Sequence, residues 1–194
     1  MPPSGTKPTI PTNGHARKEY VHWLKKARSR AWSRSKLDLS PVPLWALMAG
    51  TFFAAGLFPI ASGTFASLLA ALIVHFIEPM QHVVPLAIAS VVYLLIGISA
   101  SNIIERKLKL DDPSMIVADE VVGQWIALIP WTLYGGWLHA AIGFVAFRFF
   151  DIVKVWPASV LERRPGGFGV MMDDVIAGIY ANIVTNLILI YFLA

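Results

Sequence analysis

The 194-residue chain contains no cysteine. That absence excludes disulfides, thiolate zinc sites and a cysteine nucleophile. Charge is scarce as well. Asp, Glu, Lys and Arg make up 14% of the residues, where a soluble domain carries about 25%. No apolar stretch follows Met1 closely, so the start does not read as a signal peptide. No nucleic-acid-binding motif occurs, and we expect no nucleic-acid partner. Apolar residues, by contrast, reach 56%, with a mean hydropathy of +0.62. These values predict an all-α, polytopic integral membrane helical bundle with one transmembrane domain.

The few charges are unevenly placed. Residues 1–41 carry nine basic and two acidic side chains, whereas residues 42–194 carry seven basic and ten acidic. The chain divides accordingly into a basic arm, 1–41, and a membrane-embedded catalytic domain, 42–194. Pro, Thr and Ser in residues 1–13 predict disorder. Residues 15–37 read either as a basic amphipathic helix lying in the interface or as a plain basic tail. Such an arm suits the anionic headgroups of a cytoplasmic membrane face.

Six apolar segments follow, near 43–60, 63–77, 84–102, 116–134, 137–150 and 174–193. Four to six of them are expected as helices of the bundle. If all six spanned from an inside N-terminus, Arg106, Lys107, Lys109, Lys154, Arg163 and Arg164 would fall outside, against the positive-inside tendency. If 43–60 instead re-enters or lies in the interface, every Lys and Arg falls on the cytoplasmic side. The second arrangement is preferred. It places every polar motif of the body on the cytoplasmic face of a multi-pass protein, as a single active site requires.

Four polar constellations interrupt the apolar body. In "FPIASGTFASLLA" (58–70), Ser62, Gly63 and Thr64 open a helix whose free N–H groups and dipole favour an anion, with Ser67 one turn on. Taken alone, Ser62 is better explained as a simple N-cap. In "DDPSMIVADEVVGQW" (111–125), Asp112-Pro113 resembles an N-cap followed by proline at the first helical position. Asp119 and Glu120 then lie inside an apolar run, where ionisable groups are costly and functional by default. Gly123 would admit a neighbouring helix. In "FRFFDIVKVWP" (147–157), Arg148, Asp151 and Lys154 recur every three residues on one helix face. That pattern fits either an ion-pair ladder or a site in which Arg148 or Lys154 meets a phosphate and Asp151 orients a cation or metal. In "RRPGGFGVMMDD" (163–174), a loop with Arg163 and Arg164 leads to Asp173-Asp174, expected to begin a helix. Asp174, Gly178, Ala181, Asn182 and Thr185 form a stripe that lipid would not select.

So many carboxylates at one face repel one another in a low dielectric and coexist most easily around a hard divalent cation. Magnesium, which takes oxygen ligands, fits best. His15, His22, His75, His82 and His139 lie outside all four constellations, which argues against a histidine-based phosphoryl intermediate.

The four motifs, in this order, resemble the phosphatidylglycerophosphatase A family, most specifically in "DPSMIVADEVVG", "FRFFDIVK" and "GGFGVMMDDVIAGIYA". The resemblance covers most of residues 58–182. It implies a small all-helical enzyme of the bacterial inner membrane that uses Mg²⁺ to remove the terminal phosphate of phosphatidylglycerophosphate, in contact with membrane lipids. It implies roles for Asp112, Asp119, Glu120, Arg148, Asp151, Lys154, Asp173 and Asp174. Asp112, Asp119, Glu120 and Asp174 are expected as metal ligands. Arg148 and Lys154 would offset charge on the transferred group, and Asp151 or Asp173 would act as base. Ser62, Gly63, Thr64, Ser67, Arg163 and Arg164 would contact the phosphate. Both water and a carboxylate remain open as the nucleophile. The chain departs from the family pattern at Ser62 (usually proline), Ala66 (commonly glycine) and Val155 (usually proline), none of which removes a charge. The rival readings are a phosphatase of another lipid phosphate, a cation transporter and a lipid-binding scaffold.

Overall fold

The computed structural model describes residues 38–110, 112–131, 136–161 and 166–193. The 15–37 helix, the Gly135 side of the Gly-Gly turn, Arg163 and Arg164 therefore lie outside the described residues. Every regular element among the described residues is helical, as the composition predicted. Ser40–Ala194 forms one compact unit.

The first apolar segment is not one long helix. Helix α1 (Leu44–Gly50) has only seven residues. Beyond it Phe52, Phe53 and Ala54 all take positive φ, and a 3-10 turn follows at Ala55–Leu57. The Thr51 hydroxyl holds this reversal by donating to Leu47 O and accepting from Ala54 N. Helix α2 (Ser62–Phe76) then runs for 15 residues. Its N-cap is Ala61, at φ 49°, and not Ser62, whose hydroxyl instead donates to Ser114 O at 3.0 Å.

Helix α3 (Val83–Leu108) has 26 residues and overruns the expected 84–102 at its C-terminal end. At 1.5 Å per residue it is about 39 Å long, more than the ~30 Å hydrocarbon core of a bilayer. Its polar residues do not interrupt it, because Ser90, Ser99 and Asn102 each donate to the carbonyl four residues back. Ile88, Val91, Val92, Leu95 and Ile96 remain exposed. The first apolar segment dips along this helix and returns. Ala46 packs with Ala100 and Ile104, Ala49 O accepts from the Tyr93 hydroxyl at 2.6 Å, and Ser62 is back beside Ser114. Ile104 and Tyr93 are eleven residues apart, so the excursion is about 16 Å deep.

The 116–134 segment is also shorter than expected. Helix α4 (Ala118–Ala127) has ten residues and starts six residues after Asp112. Asp112 is therefore not its N-cap; it takes φ 46°, and the cap position belongs to Val117. Asp112 and Asp119 accordingly do not share a helix face. Pro130 explains the early stop, since proline disfavours helix at the residue before it and clashes one turn back. The exposed helix end is repaired from a neighbour. Asn182 and Asn186 both donate to Ile129 O, at 2.7 and 3.1 Å, and Asn182 also donates to Ala127 O.

Helix α5 (Trp137–Val153) follows, then the single-turn α6 (Ala158–Leu161). Lys154 closes α5 at φ 48°, so it continues the Arg148–Asp151 side without being a helical residue itself. Helix α7 (Gly167–Leu193), 27 residues long, begins seven residues before the expected start. Asp173 and Asp174 thus sit in its second turn, and Asp173 is no N-cap. The N–H of Gly167 is taken by Asn102 Oδ1 at 2.9 Å. The stripe of Asp174, Ala181, Asn182 and Thr185 is buried. At Gly178 the α7 backbone meets Gly123 of α4 so closely that a Cβ would stand 2.5 Å from Gly123 O. Helices α3 and α7 are the two described helices long and apolar enough to cross a membrane.

Candidate active site

Four element ends converge at one end of the unit. They are the starts of α2, α4 and α7 and the finish of α5. Asp119 and Glu120 occupy the first turn of α4, where the helix dipole favours negative charge. Asp174 reaches them from α7. One carboxylate oxygen from each of these three residues lies within 4.8 Å of the others. Asp119 Oδ1 and Glu120 Oε2 are buried and have no hydrogen-bond partner among the described residues. Three carboxylates this close in a low dielectric repel one another strongly. An oxygen-only donor set with unfilled buried acceptors could hold a hard divalent cation of the magnesium type.

Two ion pairs flank the acids. Arg148 meets Asp151 at 2.8 Å, both largely buried, and Lys154 pairs with the buried Asp173. Arg148 Nη1 also approaches the Ser67 hydroxyl at 3.4 Å. Ser67 itself donates to Gly63 O at 2.9 Å. The Nε–H of Arg148 is buried without a partner among the described residues, so the guanidinium keeps one directed donor in reserve. Gly63 is explained by its neighbour, because a Cβ there would collide with the Glu120 carboxylate.

The expected site residues therefore divide. Asp119, Glu120 and Asp174 form the acidic group; Arg148, Asp151, Lys154 and Asp173 form the ion pairs beside it; Gly63 and Ser67 adjoin both. Asp112 is exposed and is not one of the three grouped carboxylates; its N–H binds Glu105 Oε1 at 2.8 Å. Ser62 secures the 112–117 connection to α2, and Thr64 is exposed. Asn102 was not anticipated. It seats the start of α7, which carries Asp174, and its signal was an amide near the polar end of an otherwise apolar run.

The five described Lys and Arg residues all lie at this end. Arg106, Lys107 and Lys109 close α3, whose Asn102 touches the start of α7. Arg148 and Lys154 close α5, and Lys154 touches the second turn of α7.

The sequence profile of the family described as Phosphatidylglycerophosphatase A matches residues 48–189. A protein of Bacteroides thetaiotaomicron named "Putative phosphatidylinositol-3-phosphatase" is 40% identical over 142 residues, covering 71% of this chain and 89% of the relative. Proteins named phosphatidylglycerophosphatase A from Escherichia coli and Haemophilus influenzae are 35% and 36% identical. They cover 78% and 75% of this chain, and 86% and 87% of their own lengths. No solved structure matches.

Proposed function

The chain belongs to the phosphatidylglycerophosphatase A family and is an enzyme, a phosphoric monoester hydrolase of phospholipid metabolism; from that premise we propose that it hydrolyses the terminal phosphate of phosphatidylglycerophosphate in a magnesium-dependent reaction. The observation that carries this reading is the Asp119, Glu120 and Asp174 group beside Arg148 and Lys154. An acidic group suited to a cation, next to cations suited to an anion, is what a phosphate monoester requires.

Asp119, Glu120 and Asp174 would hold the Mg²⁺. When bound, the ion supplies Lewis-acid polarisation of the phosphoryl oxygens. Arg148 would direct its spare Nε–H to a phosphoryl oxygen, and Lys154 would add a second positive charge. Asp151 and Asp173, both engaged by cations, orient those cations. Gly63 leaves room for Glu120 and for the approach of the phosphate to the start of α2.

The protein is a membrane protein by family and by its two long apolar helices. An α3 whose outer face is apolar and exposed would be untenable in water. Within the proposal, the chain is multi-pass in a bacterial inner membrane, with α1 re-entrant and the charged end in the cytoplasm. The clustering of described Lys and Arg at that end supports this orientation. The non-helical backbone after α4 is tolerable at depth because asparagine amides satisfy it. A transporter would carry acids near mid-span on several helices, whereas Asp119, Glu120, Asp151, Asp173 and Asp174 meet at one end.

A second headgroup is favoured by one finding, the relative named for phosphatidylinositol 3-phosphate. Phosphate release by purified protein in detergent tests both readings, with each lipid offered in Mg²⁺ and in EDTA. The expected result is release from phosphatidylglycerophosphate in Mg²⁺ and none in EDTA. Release from the inositol lipid alone would transfer the assignment to that headgroup, and equal release in EDTA would remove the metal from it.

A further inference from the structure

An apolar groove of about 540 Å³ runs along the seam of α5 and α7, lined by Ala141, Val145, Phe149 and Phe150 on one side and Val184 and Ile188 on the other. We propose that this groove holds an acyl chain of the lipid substrate, so that chain length as well as headgroup decides what the enzyme accepts. The proposal rests on the lipid-phosphatase reading above.

Three observations support it. One end of the groove lies close to the site. Its upper end is Phe150, whose carbonyl accepts from Lys154 N at 2.9 Å, and Lys154 is paired with Asp173. On α7 the same seam passes from Asp173 to Tyr180, which lies 5.6 Å from Phe150 ring to ring, and on to Val184 and Ile188. The length also fits. Ala141 and Phe150 are nine residues apart, about 14 Å along the helix, close to the ~15 Å hydrocarbon depth of one leaflet. Lastly, its lining is wholly apolar and offers nothing to a headgroup, while the polar groups stand at its upper end only. A phosphate held by Arg148 and Lys154 would leave its glycerol above the Phe150–Tyr180 contact, with one chain directed down the seam. Burying each methylene there contributes about 0.8 kcal/mol only when it leaves water. For a lipid already in the bilayer the groove therefore gives position and length discrimination more than affinity.

The test has two parts, both on the full chain. In lipid nanodiscs, phosphatidate bearing a mid-chain diazirine is photolysed, with phosphatidylcholine bearing the same chain as control, and the adducts are mapped by mass spectrometry. The expected result is labelling of 141–150 and 184–188 by phosphatidate well above that by phosphatidylcholine. Equal labelling by both would make the groove ordinary lipid-facing surface and overturn the proposal. No labelling by either would mean that something else, such as a second copy of the chain, covers it, and would overturn the proposal too. In the second part, Val145→Trp and Ala141→Trp fill the middle and the deep end at exposed positions. kcat/KM for a long-chain substrate should fall about tenfold, a ~1.4 kcal/mol effect, with the turnover of a dihexanoyl substrate unchanged. Equal loss on both chain lengths would also overturn it. If the wild type released phosphate from no lipid, the phosphatase reading would fall, and the labelling would still decide the groove.

Discussion

Helices α3 and α7 are nearly equal in length, 26 and 27 residues, and both pass for membrane spans. They do different things. In the most apolar window of α3, 22% of the residues are buried; in that of α7, 44% are. Helix α3 turns Ile88, Val91, Val92, Leu95 and Ile96 outward, and its Ser90 and Ser99 return their hydroxyls to its own backbone, while Tyr93 and Asn102 reach other elements. Helix α7 gives its polar groups away: Asp174 to the acidic group, Asp173 to Lys154, and Asn182 and Asn186 to the broken end of α4. Length and hydropathy make a span. What distinguishes a functional span is a polar stripe whose partners lie on other helices.

The comparison is broken most severely at Asp174. Asp174→Asn removes one of three crowded negative charges, so the fold should hold or gain thermal stability while Mg²⁺-dependent turnover drops by at least ~100-fold. Leu95→Ala, on the exposed face of α3, should leave turnover unchanged. The paired readout is phosphate release and the melting temperature in detergent. An Asp174→Asn enzyme that keeps its turnover would remove α7 from the chemistry.

Glycines sharpen the contrast at the next level. A Cβ at Gly178 would press on the backbone of Gly123, which cannot move without separating α4 from α7. Gly178→Ala should therefore cost about 3 kcal/mol, the upper range for overpacking, and lower activity with it. On α3 the corresponding glycine is Gly97, whose added Cβ meets the flexible end of Met171, 2.6 Å from its Cε. Gly97→Ala should cost about 1 kcal/mol or less. Equal melting temperatures for the two variants would mean that the α4–α7 crossing is not the rigid contact it is taken to be.

The sequence disclosed part of this. Helical class, the pairing of Arg148 with Asp151 and the inward stripe of α7 were legible, because a helix repeats its faces every three or four residues. Helix limits were not. Hydropathy ran 116–134 together as one segment, since Ile126, Leu128 and Ile129 before Pro130 and Leu133 after it keep the average high. It also missed the left-handed turn at Phe52, Phe53 and Ala54, because nothing in three apolar side chains announces positive φ. Asp112 illustrates the same limit. Asp-Pro is a sound helix-start signal, but the chain stays irregular as far as Val117, pinned by Ser62 to Ser114 O and by Val117 N to Gly50 O. Those partners are distant in sequence and could not be read from spacing.

The smallest expected effects test the asparagines against the serines. Asn182 satisfies the carbonyls of Ala127 and Ile129 and accepts from Trp131 Nε1 at 2.7 Å. Asn182→Leu keeps the bulk but leaves those groups buried and short of partners, at about 2 kcal/mol. Ser90 on α3 also makes one buried hydrogen bond, to Leu86 O at 2.8 Å, yet that carbonyl already serves the helix, so Ser90→Ala should cost less than ~0.5 kcal/mol. Both variants can be ranked by thermal melting in one detergent. The separation matters more than either value. If Ser90→Ala proved as costly as Asn182→Leu, a hydrogen bond within a helix would count as much as one between helices, and the distinction between the two long helices would rest on Asp173 and Asp174 alone.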